Sequence, residues 1–97
     1  MYTMIVEMSL DKDRSADVLR HFEDEVAPWA QQQAGFVSGP WLLSQDEERG
    51  MGIVIFETEE AAEAAAAGPR QYVSETRSPD RAWCIRQVTV FEQVRTA

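Results

Sequence analysis

His21 is the single histidine of the chain. Asp17, His21 and Glu25 follow one another at intervals of four, which on a helix sets all three along one side. Imidazole flanked by carboxylates is the raw material of a metal site. A metal, however, needs two or three ligands converging with partners from other elements, and no HExxH-like signature supplies them. The trio is read as a solvated acidic face beside a surface histidine, on the shoulder of an apolar stripe. Cys84 is the single cysteine. With His21 it has the chemistry of a nucleophile and its base, but one cysteine on a strand commonly serves as a small apolar residue. The serines lack a GxSxG setting and the glycines lack a GxGxxG or phosphate-loop pattern. No metal and no cofactor is expected.

The aromatic residues carry more. Trp29, Trp41 and Trp83, with four phenylalanines and two tyrosines, make up 9% of the chain. Tryptophan and tyrosine suit a cavity that needs an apolar wall with a polar handle, although most large aromatics serve a core or an interface. The binding candidates are Trp29 beside Pro28, Trp41 after Gly39-Pro40, and Tyr72. His21, Trp83 and Arg86 stand behind them.

These residues must be positioned by a short series of elements. Tyr2 to Leu10 alternates as a strand. Asp11 to Arg14 is a charged connection, and Ser15 offers a hydroxyl to cap a helix. Val18, Leu19, Phe22, Val26, Trp29 and Ala30 recur at helical spacing. Gly35 is the natural stop. Pro28 removes a backbone donor inside the pattern, and because the stripe continues across it, a kink is expected. Phe36 to Ser44 is a second strand, with Gly39-Pro40 marking a bulge or an edge. Gln45 to Gly50 is a polar loop whose glycine closes a hairpin. Met51 to Glu57 is a third strand, with both faces of Ile53-Val54-Ile55-Phe56 expected to be buried.

Thr58 caps a second helix rich in alanine, slim enough to lie close to a sheet or to leave room beside it. Gly68-Pro69 is expected to end it. Residues 70–81 have no clear period, with a short turn near Tyr72-Val73. Ala82 to Val94 is a long fourth strand. The order βαββαβ is that of a ferredoxin-like α+β domain, residues 1–97, with a four-stranded antiparallel sheet and both helices on one face. The other face is then bare. Yet the third strand is apolar on both sides, and in the fourth strand Val88, Val90 and Val94 alternate against Trp83, Ile85 and Phe91. A second copy of the chain, packed sheet to sheet, is the economical cover.

Length and charge agree. Ninety-seven residues make one domain, and a chain this short gains from association that buries more apolar area. The net charge is −8, most of it in the first half, which disfavours nucleic acid as a partner. Residues 64–97 carry a small basic excess, so an anionic ligand is better sought there. No stretch is apolar and long enough for a membrane helix. The start of the chain resembles neither a signal nor a transit peptide. The lone cysteine fits a cytoplasmic location.

Two segments carry a resemblance. One is Val26-Ala27-Pro28-Trp29 through Gln33-Ala34-Gly35-Phe36-Val37-Ser38-Gly39, where a proline interrupts the first helix and Gly-Phe enters the second strand. The other runs from Gly52-Ile53-Val54-Ile55-Phe56 to Glu60-Ala61-Ala62. In these, and in the order of elements over nearly its whole length, the chain resembles the antibiotic-biosynthesis-monooxygenase-like proteins of the dimeric α+β-barrel superfamily. The resemblance implies a homodimer of stacked sheets with a ligand cavity between each sheet and its helices. It implies oxidation of an apolar aromatic, without a cofactor where catalysis occurs. It also leaves room for a non-catalytic ligand-binding or stress-related domain, or for a structural interaction module. The family's enzymes commonly place asparagine and tryptophan near the substrate, and its haem degraders add a histidine on a later helix. This chain has no asparagine and carries its histidine on the first helix, which disfavours haem degradation.

Overall fold

The computed structural model describes residues 1–75 and 82–95, the stretch 72–75 by its backbone alone. β1 (Tyr2–Leu10) takes the centre of the sheet. Its alternation buries Met4, Val6 and Met8 on one face, while Thr3, Ile5, Glu7 and Ser9 stay half-buried on the other. On one side it pairs antiparallel with β4 (Arg49–Phe56), and on the other with β5 (Trp83–Glu92). The far side of β4 holds two three-residue strands, β2 (Phe36–Ser38) and β3 (Trp41–Leu43). The order is β2-β4-β1-β5, with β3 also on β4. With the helices packed on one face, this is the ferredoxin-like fold. The expected edge strand from Phe36 to Ser44 is split in two, so the sheet has five strands. At the split Pro40 has no N–H to pair, and its carbonyl accepts from the Ile53 N–H at 3.0 Å.

The first helical region runs from Ser15 to Gln31 without a break. It comprises α1 (Ser15–His21), a π-helical turn (Phe22–Val26) and α2 (Ala27–Gln31), with right-handed helical backbone at each junction. The proline explains the middle piece. Pro28 cannot donate to the Asp24 carbonyl and its ring would crowd that oxygen. The widened turn just before it, in which the Ala27 N–H reaches the Phe22 carbonyl, keeps the helix continuous. Gly35 ends the region at φ 76°. The start differs from expectation. Asp11 accepts from the Asp13 N–H at 3.0 Å and opens a 3₁₀ turn, while the Ser15 hydroxyl donates to the Lys12 carbonyl at 2.9 Å instead of capping. Leu19 falls off the apolar stripe and is half exposed, whereas Val18 and Ala30 are buried.

Thr58 does cap α3 (Glu59–Glu75), accepting from the Ala61 N–H at 3.1 Å. Gly68-Pro69 does not end this helix. A proline displaces its predecessor from helical geometry largely by pressing on that residue's Cβ, and Gly68 has none. The helix therefore passes through Pro69 to Glu75, and Tyr72-Val73 is helical. The Tyr72 side chain and residues 76–81 lie outside the described residues. Buried alanines 62, 65 and 66 let α3 pack against β5 and β1.

Two further expectations change at single residues. In the β3–β4 hairpin Gly50 is already part of β4, paired with Leu43 and Met8. The left-handed position is Glu47, at φ 61°. In β5 the register slips by one, so Ile85 faces Met8 while Gln87 faces Glu7, and Arg86 is the extra residue. This bulge reverses the strand's parity. Trp83, Ile85, Val88 and Val90 consequently all pack towards the core instead of alternating. The strand ends at Glu92, and Val94 is exposed.

The core is built around Met4, Val6, Val18, Val54 and Phe56. The opposite face keeps Ile5, Ile53 and Ile55 half-buried. Val37, Leu42 and Phe91, with 42%, 47% and 52% of their surface exposed, extend it. Burial of both faces of β4 is therefore not achieved within one chain.

Candidate functional site

A cavity of about 380 Å³ opens between the sheet and the helices. Its floor is Val6 and Met8 of β1 with Ile85 of β5. These are alternate residues of the core face, so the pleat that builds the core also builds the floor. Trp41 of β3 and Trp83 of β5 stand on the floor as walls. The first helical region roofs it with His21, Phe22, Glu25, Val26 and Trp29, and Gly68-Pro69 of α3 closes one end.

Local structure places each of these groups. Trp41 pairs across the strands with Gly52, and any Cβ at Gly52 would collide with the indole ring. A residue without a side chain is what lets this ring lie down on β4. Phe22 then meets Trp41 at 5.3 Å between ring centres. His21 stacks on Trp83 at 4.6 Å with planes 19° apart. The rings form a row across the cavity, Trp83, His21, Phe22, Trp41. On the roof the single π-helical turn supplies Phe22, Glu25 and Val26. Gln33 donates to the Trp29 carbonyl at 3.0 Å and pins the end of that helix.

The lining is apolar apart from one pair. His21 Nδ1 lies 3.0 Å from a Glu25 carboxylate oxygen, and these two are the ionisable side chains among the described lining residues. Asp17, the third member of the i, i+4 series, does not join them. Arg14 and Arg20 hold its carboxylate at 3.2 and 3.5 Å. Among the described residues no three His, Cys, Asp or Glu side chains converge.

Of the residues singled out in the sequence, the structure gathers Trp29, Trp41, Trp83 and His21 around one space. Arg86 does not line it. Its Nε donates to the Ser9 hydroxyl at 2.8 Å, on the face that alternates with the core face of β1. As the extra residue of the bulge it stands off the core face. Sequence reasoning passed over Phe22, Val26 and Glu25 as site residues. The signal for them was present, since all three sit within one turn of His21 or Trp29 on the same helix.

No family model and no curated protein matches the sequence. Solved structures match it end to end. MhuD of Mycobacterium tuberculosis, a heme-degrader with two hemes bound in its active site, is 18% identical, with 100% of this chain and 99% of that one covered at a TM-score of 0.71. The ActVA-Orf6 monooxygenase of Streptomyces coelicolor, in complex with Nanaomycin D, is 17% identical, with 99% and 88% covered at 0.65. SnoaB of Streptomyces nogalater, a cofactor-independent oxygenase, is 17% identical, with 98% and 94% covered at 0.65. The chain has the fold of the antibiotic-biosynthesis-monooxygenase-like proteins, to which it is similar over its whole length.

Proposed function

We propose that this is a small monooxygenase-like protein whose cavity binds a flat, apolar aromatic molecule, and that oxidation there needs no cofactor. The observation that carries the reading is the cavity between sheet and helices, with three tryptophans in its lining and one polar pair. Ring faces recognise a flat conjugated body by stacking and by excluding water. The heme in MhuD and the Nanaomycin D in ActVA-Orf6 are consistent with a small ligand for this fold. Trp29, Trp41, Trp83 and His21 are the proposed binding residues. An electron-rich aromatic can itself supply the electrons that dioxygen takes up. Anthrone and one dioxygen, for example, give anthraquinone and one water. The direct test is oxygen uptake with anthrone in the presence of the protein, read beside quenching of tryptophan fluorescence.

A non-catalytic binder of the same molecules is the second reading, favoured by the absence of asparagine from the chain. Saturable quenching without oxygen uptake selects it. Absence of both rejects the cavity as a binding site. We also propose that two copies pair through the open sheet face, which supports the cavity floor from behind, and that the protein works in the cytoplasm. Light scattering giving a mass near 11 kDa at micromolar concentration would overturn the dimer. Among the described residues no helix is long and apolar enough to cross a membrane.

A further inference from the structure

The cavity offers its occupant almost no polar chemistry, so the one place where it does is informative. His21 is fixed on two sides. Its ring lies on Trp83, 4.6 Å away and nearly parallel, and its Nδ1 faces the Glu25 carboxylate at 3.0 Å. A carboxylate at Nδ1 takes the N–H there, which leaves Nε2 as the acceptor of a neutral imidazole. The same carboxylate stabilises the imidazolium if Nε2 gains a proton. The other ionisable neighbour on the helix, Asp17, is engaged by Arg14 and Arg20. The described parts of β5 and α3 that line the cavity, Trp83, Ile85, Gly68 and Pro69, carry no charge.

We infer that His21, positioned by Glu25 and Trp83, is the group that selects the ligand, and that it takes an aromatic bearing an acidic hydroxyl. The inference rests on the proposed binding of an aromatic in this cavity. The ligand O–H bond breaks, an N–H bond forms at His21 Nε2, and no electrons change owner. The product is an aryloxide beside an imidazolium, with Glu25 as the counter-charge behind it. An isostere without the hydroxyl gives the imidazole lone pair no donor, and a site built around an acceptor discriminates against it for that reason.

The test uses the whole chain with two three-ring probes. Alizarin carries acidic hydroxyls, and its visible band moves to the red on ionisation. Anthraquinone has the same rings and no hydroxyl. At a pH where free alizarin is neutral, the protein is expected to bind it with the red-shifted band of the anion, roughly tenfold or more tighter than anthraquinone. His21→Gln should abolish the shifted band and the preference. Glu25→Gln, a change at an exposed position, should weaken both. Each variant should keep the far-ultraviolet circular dichroism of the parent and still quench saturably with anthraquinone, losing less affinity for it than for alizarin, which reports an intact fold and cavity. A shifted band that persists in His21→Gln overturns the inference. So does wild-type protein that binds both probes equally and leaves alizarin neutral, although the aromatic cavity then stands. If neither probe binds, the cavity reading fails, and this inference fails with it.

Discussion

Single residues do much of the positioning here, and two of them can be tested directly. Asp46 accepts from the Ser44 hydroxyl at 2.6 Å and from the Glu48 N–H at 3.0 Å, and these bonds, the hydroxyl's first, hold its carboxyl below the usual carboxylate range. A carboxyl depressed in the folded state contributes stability that is present above its unfolded value, about 3.9. That contribution is lost as pH falls through the folded value. Asp46→Asn should therefore lower the urea midpoint at neutral pH and lose less on acidification than the parent chain does. Gly52 is the second case. Gly52→Ala must push the Trp41 ring off its seat, at a cost of about 1–3 kcal/mol by the usual scale of overpacking. Denaturant titration reads that loss, and weaker quenching by an aromatic ligand reads the displaced wall. The tryptophans were legible as site candidates because few other residue types make a broad apolar wall. Glu25 was not, because nothing in the spacing Asp17, His21, Glu25 says that arginines will claim the first carboxylate and leave the last to the imidazole.

At the scale of elements, the order βαββαβ could be read directly, since the periods of two and of three to four residues are clear in Tyr2–Leu10 and from Val18 to Ala30. Among what escaped were three local irregularities, each invisible to periodicity. A π turn absorbs Pro28, a glycine lets α3 run through Pro69, and Arg86 reverses the parity of β5. The first of these makes a prediction. Pro28→Ala restores an N–H opposite the Asp24 carbonyl and favours an ordinary α-helical turn. Stability should rise by about 1–2 kcal/mol, less than the ~3 kcal/mol of an interior proline because the widened turn already avoids the clash. Phe22 and Glu25 should rotate relative to the cavity, so aromatic quenching should weaken while the thermal midpoint increases. A gain in both would separate the π turn from ligand binding.

For the whole molecule, the bare sheet face is the dominant feature. The bulge in β5 turns Val88 and Val90 to the core side and so takes them off this face. The support that remains for covering it lies in Ile5, Ile53 and Ile55 at the centre of the face, with Val37, Leu42 and Phe91 around them. Ile53→Glu sets a charge in the middle of this surface, well away from the cavity. It should convert the expected dimer to a monomer by light scattering, because a buried unpaired carboxylate costs several kcal/mol at an interface. The two rims of the sheet have a different character. One is cut into three-residue pieces at Gly39-Pro40, and the other is interrupted at Arg86 by a cationic side chain. Short, bulged or charged rims offer a poor template for an added strand. Growth along the hydrogen-bonding direction has no natural end and leads towards fibrils, whereas pairing face to face consumes the sticky surface of both partners and stops. The broken rims thus act as insulation against endless polymerisation of a chain with a greasy sheet, and leave the proposed face-to-face pair as the association that closes.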